Sequence, residues 1–162
     1  MNRKMNSPVI VAALLGLLAL FTGSLSAPAA EAQSPRARIA GVWDSAVTIT
    51  DCNGTVLATF RGLGLFSPDG SLQQNNNMSP TLGKMGLGLW HHVSQEHYTA
   101  TFEFFRFDAT GTYLGTQSVS RDIQLDPAGD SFTSTIAFTS YDPNGVVVAS
   151  GCGTETSVRV ID

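Results

Sequence analysis

The side chains in this sequence that carry chemistry fall in alternating runs. Tyr98, Ala100, Phe102 and Phe104 recur every second residue, and so do Gln117, Val119 and Arg121. In an extended chain a period of two sends each set to one face. A guanidinium, a carboxamide and phenols projecting among aromatic rings would hold the polar end of a small apolar or mildly acidic molecule. Adding the carboxylate of Glu155 makes the group suited to steering protons or charge in a shaped cavity. A buried Arg–Glu pair serves structure equally well, because each ion offsets the cost of burying the other. Both readings stand at this point.

Other chemistry finds less support. In Trp90-His91-His92-Val93 the two imidazoles alternate faces, so they cannot share one interior ion; which of them points inward is open. No metal and no cofactor is expected on this ligand supply. Nucleophile elbows, phosphate loops and paired-carboxylate motifs are absent from the sequence. Gly62-Leu63-Gly64 and Gly86-Leu87-Gly88 precede no helical pattern and read as space for Trp43 and neighbouring aromatics.

The elements that position these residues are strands. Turn signals recur at Asn53-Gly54, Pro68-Asp69-Gly70, Asp108 to Gly111, Asp126 to Gly129 and Asp142 to Gly145. Between them lie runs rich in Thr, Val, Ile, Phe and Tyr, with no helical period. The sequence predicts an all-β domain of eight strands, roughly 42–51, 55–66, 71–76, 85–93, 97–107, 112–124, 131–141 and 146–161. Joined by tight turns, such an antiparallel meander closes into an up-and-down barrel that leaves no edge exposed. The longest connection, Asn77 to Lys84, is expected to form a lip over one mouth.

Faces follow from the hairpin around Asp108-Ala109-Thr110-Gly111. Closing it with Phe107 opposite Thr112 pairs Tyr113 with Arg106, Gln117 with Phe102 and Arg121 with Tyr98. The opposite face collects Thr99, Thr101, Glu103, Thr116, Ser118 and Ser120. That polar set belongs to water, so the first set faces inward, with a conflict at Phe105, Phe107 and Leu114. Continuing through Ile123 opposite Phe132 and Tyr141 opposite Val146 brings Ser134 beside Arg121 and turns Gly151, Gly153, Glu155 and Arg159 inward. The expected lumen thus contains Phe60, Trp90, Tyr98, Phe102, Phe104, Tyr113, Gln117, Arg121, Ser134, Phe138 and Glu155, with Phe132 as a further wall.

Closure makes the first and last strands antiparallel neighbours, with Cys52 and Cys152 both outward and opposite each other. Ile49 would then face Glu155, and Ser45 would face Arg159. A disulfide is expected, and it implies an oxidising compartment.

The N-terminal residues agree with that compartment. Arg3 and Lys4 precede the apolar run Val9 to Phe21, and Ala30-Glu31-Ala32 offers a cleavage point. Residues 1–32 read as a signal peptide, 33–40 as a flexible lead-in and 41–162 as the barrel, secreted or periplasmic. Losing Arg3, Lys4 and Glu31 from nine basic and thirteen acidic residues leaves a net charge of −5. That balance argues against nucleic acid and anionic membrane as partners, since both need clustered cations. No membrane insertion is expected after cleavage; the expected partner is a small hydrophobic molecule.

Gly41-Val42-Trp43 at the start of the first strand, with Arg159 near the end of the last, resembles the lipocalin and wider calycin pattern. The resemblance implies that Trp43 packs at the closed end of an eight-stranded barrel and is covered by Arg159, which the pairing above sets diagonal to it. No helical pattern follows the eighth strand, which moves the architecture toward helix-free barrels of the avidin-like or allene oxide cyclase-like kind. Three functions compete: a barrel that binds a hydrophobic ligand; a barrel cyclase or isomerase using Tyr98, Arg121 and Glu155; and a filled structural or protein-binding barrel.

Overall fold

The computed structural model describes residues 38–78 and 85–161. Its elements are β1 (Gly41–Thr50), β2 (Val56–Phe66), β3 (Ser71–Asn76), β4 (Gly86–Ser94), β5 (His97–Phe107), β6 (Tyr113–Leu125), β7 (Ser131–Tyr141) and β8 (Val147–Arg159). Sequence neighbours are sheet neighbours, every pair is antiparallel, and β1 pairs with β8. The fold is the expected all-β closed up-and-down barrel, with no helix among the described residues. The expected signal peptide, residues 33–37 and residues 79–84 of the expected lip lie outside the described residues.

Faces agree with the alternation, while most partners are shifted by two. The β1–β2 pairing is as expected, with Val47 opposite Phe60 and Trp43 opposite Gly64. At the β5–β6 hairpin, Asp108 rather than Phe107 closes the turn, and a bulge follows after the Phe107–Tyr113 pair. Each event adds one residue, so Tyr98 faces Ile123 and Arg121 faces Ala100. The β7–β8 hairpin repeats this device, giving Ser140 opposite Ala149. The Asp126 turn is closed by Ser131, which puts Ile123 opposite Ser134 and Arg121 opposite Ile136. A slip of two preserves every face in the body of a strand. At a bulge it does not: Tyr113, expected inward, lies against Phe105 and Phe107 and is 40% exposed.

One end of the barrel is solid. Trp43, Phe66, Leu72, Trp90, Tyr98, Ile123, Leu125 and Phe132 are almost wholly buried there, with Trp43 and Phe132 edge to face at 4.8 Å. Trp43 Nε1 donates to the Ile39 carbonyl (2.8 Å), and the Arg159 guanidinium lies 4.3 Å over its ring. Arg159 sits directly opposite Trp43 rather than diagonal to it. Its three nitrogens donate to the carbonyls of Gly129, Ala40 and Arg38. Gly41 holds φ at 140°, and a Cβ there would stand 2.5 Å from Arg159 Nη1, so this position of the Gly-x-Trp pattern has no room for a side chain. Residues 38–40, assigned to the lead-in by the sequence reading, are instead part of this seal. Ile39 is fully buried, and Arg38 bonds to Glu96 and the Pro127 carbonyl.

The seam carries the expected disulfide between Cys52 and Cys152, whose Cα atoms are 4.9 Å apart. Thr50 rather than Cys52 is the partner of Cys152, and Cys52 reaches it from beyond β1 at a φ of 65°. Linking residues 100 apart stabilises by ~4.7 kcal/mol in the chain-entropy treatment.

Five turn aspartates hold the strand connections. Asp108 Oδ1 accepts from the amides of Thr110 and Thr112, and Asp142 Oδ1 accepts from those of Asn144 and Val146. Asp51, Asp69 and Asp126 cap their turns in the same way. Hydrogen bonds to the ionised form lower all five from the ordinary value of 3.8. The leading donors are the amides of Asn53, Ser71, Ser131 and Val146 and the hydroxyl of Thr110. Because the folded-state values are depressed, this stability is complete above the unfolded value and is lost as pH falls through the folded ones. Urea midpoints should therefore decline below about pH 4, and less steeply in Asp108→Asn/Asp142→Asn. Equal acid slopes for variant and parent would contradict the capping role.

Candidate functional site

Above the solid end, the inward positions become polar and then open into a cavity. Alternation on β6 aims Gln117, Val119 and Arg121 inward, and alternation on β7 does the same for Ser134, Ile136 and Phe138. Glu155 enters from β8 between Gly153 and Ser157. Arg121 and Glu155 are 5% and 1% exposed, and Arg121 Nε lies 3.3 Å from Glu155 Oε2. Ser134 Oγ donates to the same carboxylate oxygen (2.8 Å), and Arg121 Nη1 donates to Gln74 Oε1 (3.3 Å). The guanidinium carbon is 4.9 Å from the centre of the Phe102 ring. Burial pushes the Arg121 pKa down, while the Glu155 charge opposes that shift. Neither Arg121 Nε nor Glu155 Oε1 has a hydrogen-bond partner among the described residues.

Gln74 gives this layer its shape, and sequence reasoning missed it. It sits on β3 with the same parity as buried Leu72, so alternation within that short strand was the available signal. Gly62 and Gly64 clear its path: a Cβ on either would stand 2.7–2.8 Å from the Gln74 amide. Those glycines therefore make room for Gln74 rather than for Trp43. Gly86 likewise makes room for the Phe102 ring, and Gly88 for the β5 backbone at Thr101 and Phe102.

A cavity of about 200 Å³ lies on the far side of Arg121 from the solid end. Phe60, Phe102, Phe104 and Phe138 wall it, together with Val47, Ile49, Val119 and Ile136, and Arg121 and Gln117 enter it from β6. Ser140 Oγ donates to Gln117 Oε1 (3.1 Å). Asn76 and Met78, which were not anticipated, complete the wall beside β3.

Of the eleven residues expected in the lumen, Phe60, Phe102, Phe104, Gln117, Arg121 and Phe138 meet at this cavity. Ser134 and Glu155 support Arg121 from below. Trp90 and Tyr98 belong to the solid end, their rings 6.0 Å apart, and burial raises the Tyr98 pKa. Tyr113 lies on the outer surface. The trio Tyr98, Arg121 and Glu155 therefore does not line one cavity. His92 shares the inward face of Trp90 and bonds through Nε2 to the Gln95 carbonyl (2.8 Å), whereas His91 is exposed. No cluster of three or more potential metal ligands occurs among the described residues.

Compared with known proteins, the chain matches no family model and no curated protein.

Removing one partner of a buried ion pair strands the other, at a cost of about 3–5 kcal/mol. Glu155→Gln should therefore lower the urea-unfolding free energy well beyond exposed Glu103→Gln, which should change it by less than about 0.5 kcal/mol. The double variant Arg121→Met/Glu155→Leu should be more stable than Glu155→Gln alone. Equal effects of the two glutamate changes would remove the assigned roles.

Proposed function

We propose that the mature protein is an exported barrel that binds a small hydrophobic molecule in the cavity above Arg121. The observation that carries this reading is the uneven filling of the interior: aromatic side chains pack one half solid, while about 200 Å³ stays open in the other. A filled structural barrel needs no such space. Apolar walls with a few placed polar groups suit a ligand that is held by burial and oriented by hydrogen bonds. The cyclase alternative is weakened because Tyr98 lies in the solid end and Glu155 does not line the cavity.

Export is supported by the leader pattern in residues 1–32 and by the Cys52–Cys152 bridge, which suits an oxidising compartment. The calycin-like reading draws support from the closed eight-stranded barrel and from Arg159 stacked on Trp43.

Native mass spectrometry of the mature protein from its own source, before and after organic extraction, tests the proposal. A co-purifying small molecule that extraction removes is the expected result. Val119→Phe, which pushes a ring into the cavity, should lose that molecule while keeping a cooperative unfolding transition. A clean apo mass, or retention by the folded Val119→Phe variant, would overturn the reading.

A further inference from the structure

We infer that the ligand's polar end is an uncharged group that only accepts hydrogen bonds: a ketone, aldehyde, ester or epoxide. This deepens the binding proposal above and rests on it.

Among the described residues, the polar side chains of the cavity wall are Gln74, Asn76, Gln117 and Arg121. All three carboxamide oxygens already accept a bond. Gln74 Oε1 takes Arg121 Nη1, Gln117 Oε1 takes the Ser140 hydroxyl, and Asn76 Oδ1 takes the Met78 amide. The nitrogens are less committed. Neither Gln117 Nε2 nor Asn76 Nδ2 makes a hydrogen bond among the described residues, and Arg121 has five N–H groups but makes one side-chain hydrogen bond there, to Gln74. The wall therefore offers donors in surplus. A ligand acceptor satisfies them, whereas a ligand hydroxyl adds one more donor to a wall whose carboxamide oxygens keep a single free lone pair each, fewer than its free N–H groups.

Charge then separates the acceptors. Arg121 is the one charged side chain lining the cavity among the described residues, and Glu155 already balances it at 3.3 Å. Arg106 lies on β5 beyond Phe104, outside the lining. A carboxylate entering this site would leave the buried layer with one unmatched negative charge. A neutral carbonyl takes the same N–H groups without that cost.

Size follows from volume. An apolar cavity of ~150 Å³ holds benzene, so 200 Å³ has room for roughly eight non-hydrogen atoms by proportion.

Four probes of that size test the inference: acetophenone, 1-phenylethanol, ethylbenzene and benzoate. Each is titrated calorimetrically into the mature, disulfide-bonded protein at pH 7. Acetophenone should bind about tenfold more tightly than ethylbenzene or benzoate, the worth of one to two net hydrogen bonds, with 1-phenylethanol between. Its bound carbonyl carbon should move downfield in the ¹³C spectrum. Gln117→Met should narrow the ketone-over-hydrocarbon ratio about threefold or more, since it deletes one of the donors. Equal affinity for ketone and hydrocarbon would overturn the inference and leave the binding proposal standing. Benzoate binding most tightly would overturn it through the charge argument. Failure of all four to bind would overturn the binding proposal as well.

Discussion

A guanidinium and a carboxylate taken out of water inside one barrel need each other, and the pairing of Arg121 with Glu155 organises everything around it. On one side the space is spent on aromatic packing; on the other it stays partly open. The pair is held from three strands, through Ser134 on β7, Gln74 on β3 and the Phe102 ring on β5. Each of these supports depends on strand parity, since a slip of one residue would carry Arg121 into solvent and Ser120 into the lumen. The layer is thus both a floor for the cavity and a lock on the register.

The solid end makes that floor rigid. Arg159 covers Trp43 and ties the carbonyls of residues 38, 40 and 129 together, so the entry to β1, the exit of β8 and the β6–β7 turn are bound by one side chain. Burial lowers its pKa, a cost that carbonyl acceptors on three sides and the indole face offset. The seam between β1 and β8 is held separately at its other end by the disulfide. Between these two fastenings Ser45 and Ser157 share a hydrogen bond (2.7 Å) and Glu155 holds Arg121, while Val47 and Ile49 line the cavity.

Much of this was legible in the sequence because period two is robust. Thr99, Thr101 and Glu103 facing water forced Phe102 and Phe104 inward whatever the partner strand did, and the same logic gave Arg121, Ser134 and Glu155 a common face. Partner identity was less legible because it depends on turn geometry. The Asp108 and Asp142 turns each contain a closing residue and a bulge that composition does not mark, and Tyr113 was misassigned because it stands at such a bulge. Gln74 escaped notice for a different reason: its strand has six residues, and a carboxamide there reads as surface until glycines on the neighbouring strand are seen to clear a path for it. Ile39 was missed because a lone apolar residue between arginines carries no period.

One half of this interior is open and the other is packed. Diffraction from crystals of the protein under xenon pressure distinguishes the two halves, since xenon enters apolar cavities and not filled cores. Xenon is expected among Phe60, Phe102, Ile136 and Phe138, and none around Trp43 and Phe132. Xenon absent from both halves, or present around Trp43, would contradict that division.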